Sequence, residues 1–143
     1  MQPRWKDGCR GMLTVNAIFA GFSAVFLVNL VVRVNDIQEL WFYLSCGLVM
    51  LALYLFAMAS EWITDALDEG ELDIYIGTMK AYNFGVISIL LSLSAFLVGH
   101  SRPYLAGFAA VAIIFPWGKD LWWLLFASEK EKQDYRNKLS RTD

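Results

Sequence analysis

The sequence lacks the residue patterns from which most enzyme active sites are built. Its only histidine, His100, has no second ligand at zinc-binding spacing, and its two cysteines, Cys9 and Cys46, do not form a C-x-x-C motif. These absences argue against a zinc site and against the four-helix membrane thiol oxidoreductases. Phosphate-binding loops, dinucleotide fingerprints and hydrolase motifs are also missing. We therefore expect a protein that is not an enzyme and carries no cofactor, and we assign no metal ligands.

Charged residues are missing from long parts of the chain. Three charge-free stretches cover residues 11–32, 40–60 and 81–101. A helix needs roughly 20 apolar residues to span about 30 Å of hydrocarbon, so each stretch is long enough to cross a bilayer. A fourth stretch, 103–118, is shorter, but apolar residues resume after Lys119 and Asp120. We therefore place the fourth span at 103–128.

The composition supports a chain that lies almost entirely in or beside lipid. Hydrophobic residues make up 57% of the sequence and charged residues 18%, which a soluble domain of this size does not need for its core. Backbone polar groups in lipid are satisfied within helices. The sequence thus predicts one all-α domain over residues 1–143, a bundle of four transmembrane helices. The channel interpretation of the first span, given below, adds that this bundle assembles as a homo-oligomer. The expected partners are the lipid bilayer and further copies of the chain, and no nucleic acid.

The basic residues orient the predicted bundle. With four spans, both termini and the link between the second and third spans share one side of the membrane. That side holds ten of the twelve basic residues, and only Arg33 and Arg102 lie on the other. The positive-inside rule therefore predicts short N- and C-terminal tails that both face the cytoplasm.

One face of the first span carries an apolar row that ends in an amide. At 100° per residue, the following side chains lie within about 40° of one line: Val15, Ile18, Phe22, Val25 and Asn29. Such a row is typical of a narrow pore wall if several copies of the helix meet on an axis. The alternative is a packing face whose amide lies at the headgroup boundary near Arg33. The row taken alone favours the packing face.

Small and polar residues indicate contacts between helices. A stripe in the first span comprises Ala17, Gly21 and Ala24. Such stripes allow two helices to approach closely, and Ser88 and Ser92, one turn apart in the third span, do the same. Asn16 lies almost opposite Asn29, so we expect it to bond to a neighbouring helix.

The second span is expected to continue beyond the membrane as a helix with an acidic face. Four carboxylates fall within about 100° of one another, and these are Glu61, Asp65, Asp68 and Glu69. They would attract cations to a cytoplasmic pore mouth, or bind calcium loosely, although their spacing is not that of an EF-hand. A solvated extension of the helix is the commoner explanation.

The fourth span carries features that the other three lack. Pro116 removes a backbone hydrogen bond and predicts a kink. Lys119 and Asp120 form either an intramembrane charge pair or part of the inner membrane boundary. The shortness of 103–118 favours the boundary. The polar tail from residue 129 to residue 143 is expected to be helical.

In order along the chain, these features resemble the Orai-type calcium-release-activated channels, which are four-pass proteins with cytoplasmic ends. The first span reads G-F-S-A-V-F-L-V-N over residues 21–29, similar to the family's pore helix. Further similar segments lie at residues 55–58 (L-F-A-M), 81–84 (A-Y-N-F) and 113–118 (I-I-F-P-W-G). The last of these is similar to the family's proline-kinked fourth helix.

The resemblance implies a role for several residues of the first helix. It places Asn29 at the ion filter, Val25 and Phe22 at a hydrophobic gate, Gly21 at a hinge, and Lys6 and Arg10 in a basic inner pore. Two departures matter. Asn29 stands where the family has a glutamate, and a ring of neutral amides lacks the field to hold a divalent ion. Lys6 and Arg10 also lie about 100° or more from the line of Asn29 on an ideal helix.

Two functions of different classes therefore remain open. The first is an oligomeric channel that conducts an inorganic cation through a central pore lined by the first helix, with calcium as the ion that the resemblance suggests. The second is a non-conducting membrane adaptor or assembly subunit, recognised through the acidic helix and the charged tail. A proton-coupled transporter is disfavoured because the first three spans hold no mid-span Asp or Glu.

Overall fold

The computed structural model describes residues 4–69 and 72–140, with only the backbone at a few helical positions. The described chain forms five helices and no strand. They are α1 (Arg4–Val32), α2 (Glu39–Glu69), α3 (Leu72–Gly99), α4 (Pro103–Phe126) and α5 (Glu129–Ser140). A short 3-10 turn, Val34–Asp36, links α1 to α2. The predicted all-α class is confirmed for the described residues, as is the continuation of α2 through Glu69. The predicted helical tail is confirmed over residues 129–140, and its last three residues lie outside the described part.

Three helices, α1, α2 and α3, are long and apolar enough to cross a membrane. The 29 residues of α1 extend about 43 Å, which exceeds the hydrocarbon thickness. Within the described residues α4 is not among these three, so the fourth span remains a prediction. The backbone of α4 is helical at residue 116, but the side chain of Pro116 lies outside the described part, and the kink also remains a prediction.

Helix α3 lies at the centre of the bundle. It packs along α2 on one side and along α4 on the other, while α1 packs mainly on α2. The main core lies where these helices meet, and its buried residues include Leu30, Val49, Phe56, Val86 and Ile89. A second cluster joins the start of α1 to the end of α2 and the start of α3 through Trp5, Cys9, Ile63, Ala66 and Tyr75. We call this end of the bundle, which also holds α5, the inner end.

Reciprocal serine hydrogen bonds join α2 to α3. The Ser45 hydroxyl donates to the Ser92 carbonyl oxygen at 3.1 Å, and the Ser92 hydroxyl donates to the Ser45 carbonyl oxygen at 2.7 Å. Ser88, one turn earlier, is also buried. The expected role of Ser88 and Ser92 in close helix packing is therefore confirmed.

Asn16 joins α1 to α2. Its side-chain amide donates to the Phe56 carbonyl oxygen at 2.6 Å and to the Ser60 hydroxyl at 2.5 Å. The residue is fully buried, and its Oδ1 has no hydrogen-bond partner among the described residues. The expectation that Asn16 bonds to a neighbouring helix is confirmed.

Helix α3 ends at Gly99, two residues before the predicted end of the third span at residue 101. The turn that follows contains a serine with a left-handed backbone conformation. Ser101 has φ of 61°, in the region that favours glycine. Its N–H bonds to the Val98 carbonyl oxygen at 3.0 Å, and the Arg102 N–H bonds to the Leu97 carbonyl oxygen at 2.8 Å. This pair of bonds is a Schellman motif, which satisfies the last carbonyls of α3 and lets the chain turn into α4.

Candidate functional site

The apolar row of α1 is uncovered over most of its length. Exposure of the side chains is 65% for Ile18, 51% for Phe22 and 62% for Val25. Asn29 is exposed too, and its side-chain amide donates to the Val25 carbonyl oxygen at 2.9 Å, one turn back. The opposite face, with Asn16 and Ser23 among others, is buried against the bundle. The row therefore forms a free surface of the single chain.

The small-residue stripe of α1 borders this row and is also exposed. Ala17, Gly21 and Ala24 are all accessible. Nothing described lies within 4 Å of the position that a Cβ atom on Gly21 would occupy. The stripe is therefore not used for close packing at Gly21 within the chain.

The two basic residues assigned to an inner pore make contacts within α1. The Lys6 ammonium lies 5.6 Å from the centre of the Trp5 ring. The Arg10 guanidinium lies 3.9 Å from the Asp7 carboxylate, and both groups are exposed. Arg10 and Asn29 are separated by about 28 Å along the helix axis. The structure therefore does not bring these cations together with Asn29.

The acidic face lies on the last turns of α2. Glu61, Asp65, Asp68 and Glu69 are all exposed, and none forms an ion pair with another described residue. Across the described ranges, no three or more His, Cys, Asp or Glu side chains are grouped to hold a metal ion.

A cavity of about 700 Å³ lies at the inner end between α1, α3, α4 and α5, and we call it the inner cleft. One wall is formed by Gly8, Gly11 and Val15, which lie on the face of α1 that carries the apolar row. The row thus has two environments, because its inner end faces this cleft while the part from Ile18 to Asn29 is uncovered.

Aromatic residues form most of the remaining surface of the inner cleft. The aromatic wall consists of Tyr75, Tyr82, Trp117, Trp123 and Tyr135. Two polar residues also line the cleft, Asn83 of α3 and Asp120 of α4. Asn83 is almost fully buried, whereas Asp120 is exposed.

Helix α5 contributes Tyr135 to the wall of the inner cleft. The Tyr135 ring contacts the Trp123 ring edge-on at 4.9 Å, and the Tyr135 hydroxyl donates to the Met79 sulfur at 3.8 Å. The Arg136 guanidinium lies 2.7 Å from the Asp73 carboxylate and holds α5 against α3. Burial, and then the neighbouring Asp120 carboxylate, raise the pKa of the Tyr135 phenol, so this group stays neutral.

The pattern of residues in the sequence does not predict the inner cleft. Gly8 and Gly11 lie on the same helical line as Phe22 and Val25, which is visible in the sequence. The sequence does not tell which helices this line faces, and that information decides whether two glycines border a cavity.

No family model, curated protein or solved structure matches this chain. The resemblance to the Orai-type channels therefore stays a prediction based on short segments. The features of the structure that bear on function are the α1 row, the acidic face and the inner cleft.

Proposed function

We propose that this chain is a homo-oligomeric membrane channel that conducts an inorganic cation through a central pore lined by α1. One observation supports the proposal above the others. The apolar row from Ile18 to Asn29 is uncovered, although the opposite face of the same helix is buried and bonded to α2. If copies of the chain assembled around a shared axis, their α1 helices would enclose this row. In the proposal α4 is the fourth span and both termini lie in the cytoplasm.

The row suits a gate followed by a weak ion-binding ring. Phe22 and Val25 would narrow the pore with apolar side chains, which close a channel by dewetting. Asn29 would contact the ion one turn further out. Its Nδ2 is already bonded to the Val25 carbonyl oxygen, which leaves Oδ1 as the acceptor that turns to a cation. Because an amide ring is neutral, we expect monovalent cations to pass at least as well as divalent ones.

The small-residue stripe beside the row suits the contact between neighbouring copies. Ala17, Gly21 and Ala24 are exposed next to the row, and small residues let membrane helices approach closely. A ring of α1 helices would therefore pack through the stripe while the row faced the axis.

Cation flux into liposomes tests the channel. We expect Val25→Ala or Phe22→Ala to produce a leak, because a smaller side chain widens the constriction and admits water. Val111→Ala is the matched control, since Val111 is 72% exposed on α4 and belongs to neither the row nor the small-residue stripe of α1. Equal flux in all three variants, or labelling that shows Phe22 and Val25 against acyl chains, would refute the pore.

The oligomeric state provides a second test of the same proposal. Subunit counting after gentle extraction should find a closed ring, of about five or six copies for a pore of this kind. A monomer would exclude a pore built from α1.

The second candidate function is a non-conducting adaptor. It is favoured by the exposed acidic face of α2, which forms no ion pair with another described residue. A photo-crosslinker placed at Thr64, beside Asp65, would capture a bound partner. Changing all four acids of the face to lysine should abolish the cross-link while the chain still inserts into the membrane. A cross-link that survives the charge reversal would rule out recognition through this face.

A further inference from the structure

The inner cleft has the size and the walls of a small-molecule site. Its volume of about 700 Å³ falls within the range of ligand pockets, roughly 300–1,000 Å³. Four helices contribute to it, so its shape depends on the folded bundle and not on one surface. The cleft lies within a single subunit, so this inference does not depend on the channel proposed above.

The aromatic wall favours a cationic ligand. Aromatic ring faces carry negative potential and attract ammonium groups within about 6 Å, and clusters of such rings recognise quaternary ammonium ions. Trp123 and Tyr135 are held in place by their 4.9 Å edge contact and by the bond from Tyr135 to Met79. Rings that are already fixed bind a cation without a large ordering cost.

The charge in the cleft points the same way. Asp120 is a carboxylate on the lining, and no lysine or arginine belongs to the described part of that lining. Asn83, 6% exposed, adds one neutral polar group opposite a largely apolar surface. The only charge on the described lining is therefore negative, in a largely apolar cavity, which favours a cation with an apolar body over an anion.

We propose that the inner cleft binds an apolar molecule that carries a quaternary ammonium or amine nitrogen, with the nitrogen between Asp120 and the aromatic wall. Trp123 and Tyr135 would contact the cation by their rings, and Asp120 would balance its charge. The apolar body would lie along Met79 and the glycine wall of α1. The same chemistry occurs in a dissolved hydrophobic amine and in the choline headgroup of a lipid.

Binding of radiolabelled benzyltrimethylammonium to the full chain in phosphatidylglycerol nanodiscs tests this site, with empty discs as the blank. We expect Asp120→Asn and Trp123→Leu to weaken binding about tenfold or more, because each removes a direct attraction for the cation. Asp65→Asn and Trp122→Leu are matched controls outside the cleft and should bind as the unmodified chain does.

Competition by neopentylbenzene, the uncharged isostere, separates charge recognition from simple apolar binding. We expect it to compete much more weakly than the unlabelled ammonium compound. Equal competition, or equal loss of binding in the cleft and control variants, would overturn the proposal. If Asp120→Asn fails to insert, the comparison of Trp123→Phe with Trp123→Leu replaces this variant. Binding that is retained in Trp123→Phe alone supports the site, and equal binding in the two variants refutes it.

A final arm distinguishes the two sources of the ligand. Adding phosphatidylcholine to the nanodiscs should displace the probe if the natural occupant is a lipid headgroup. Retention of the probe would assign the cleft to a dissolved cation instead. Both results support recognition of the ammonium group, and loss of all saturable binding in choline-free discs contradicts it.

Discussion

At the scale of single residues, the approach of α2 to α3 depends on the absence of a side chain at position 85. A Cβ atom on Gly85 would lie 2.7 Å from Cε1 of the Phe56 ring. That ring is fully buried and packs against Phe19 and Tyr82 at 5.8 and 6.1 Å, so it has little room to move. Close packing of the two helices at this point thus requires a glycine opposite the Phe56 ring.

We therefore predict that Gly85→Ala destabilises the bundle by overpacking. Overpacking of a well-packed core costs about 1–3 kcal/mol. Gly47→Ala is the control, because Gly47 on α2 has nothing described within 4 Å of a Cβ position and reports the helix-propensity gain alone. The free energy of unfolding, measured by circular dichroism in mixed micelles, should be lower for Gly85→Ala than for Gly47→Ala by about 1–3 kcal/mol. Equal values would mean that Phe56 moves freely.

At the scale of elements, α5 begins with a capping box. The Glu131 carboxylate accepts hydrogen bonds from the Ser128 backbone N–H at 2.8 Å and from the Ser128 hydroxyl at 2.7 Å. In return the Glu131 N–H donates to the Ser128 hydroxyl oxygen at 3.3 Å. These bonds, first from the hydroxyl and then from the backbone, lower the pKa of Glu131.

This shift predicts how α5 responds to pH. A carboxyl with a lowered pKa in the folded state stabilises the fold above its unfolded pKa, and the contribution is lost as pH falls through the folded pKa. We expect the helical ¹³Cα shifts of residues 129–138 to stay constant from neutral pH down to the ordinary glutamate pKa of about 4.3, and to weaken as the pH falls below it. Ser128→Ala should weaken them already at neutral pH, because loss of the N-cap costs the helix about 1 kcal/mol of stability. If neither the lower pH nor Ser128→Ala alters these chemical shifts, α5 is held in place by Arg136 and Tyr135 alone.

The elements themselves, and some residues that join them, could be predicted from the sequence, whereas the helix that each residue contacts could not. Long charge-free stretches and the regularly spaced acids of α2 indicate helices, because each pattern involves only residues of one helix. Ser101 could not be predicted to end α3, since serine is seldom found in the left-handed region. The inner cleft depends on which face of α1 meets α3, α4 and α5, and periodicity does not determine this.

At the scale of the whole molecule, the two environments of the α1 row limit which of its residues can line a pore. Val15 and the glycines before it face the inner cleft of their own subunit. Only Ile18, Phe22, Val25 and Asn29 remain to face a shared axis. In the proposed assembly the constriction and the ion site therefore lie in the outer half of the bundle, away from Lys6 and Arg10.

This arrangement makes Asn29 the residue at which ion preference can be changed. We predict that Asn29→Glu raises the permeability of divalent relative to monovalent cations, because a ring of carboxylates supplies the field that amides lack. Asn35→Glu adds the same charge in the exposed turn after α1, off the row, and should leave the ratio unchanged. Reversal potentials in planar bilayers measure the ratio. An equal shift in both variants would indicate a general surface-charge effect, and no shift at Asn29 would remove that residue from the ion path.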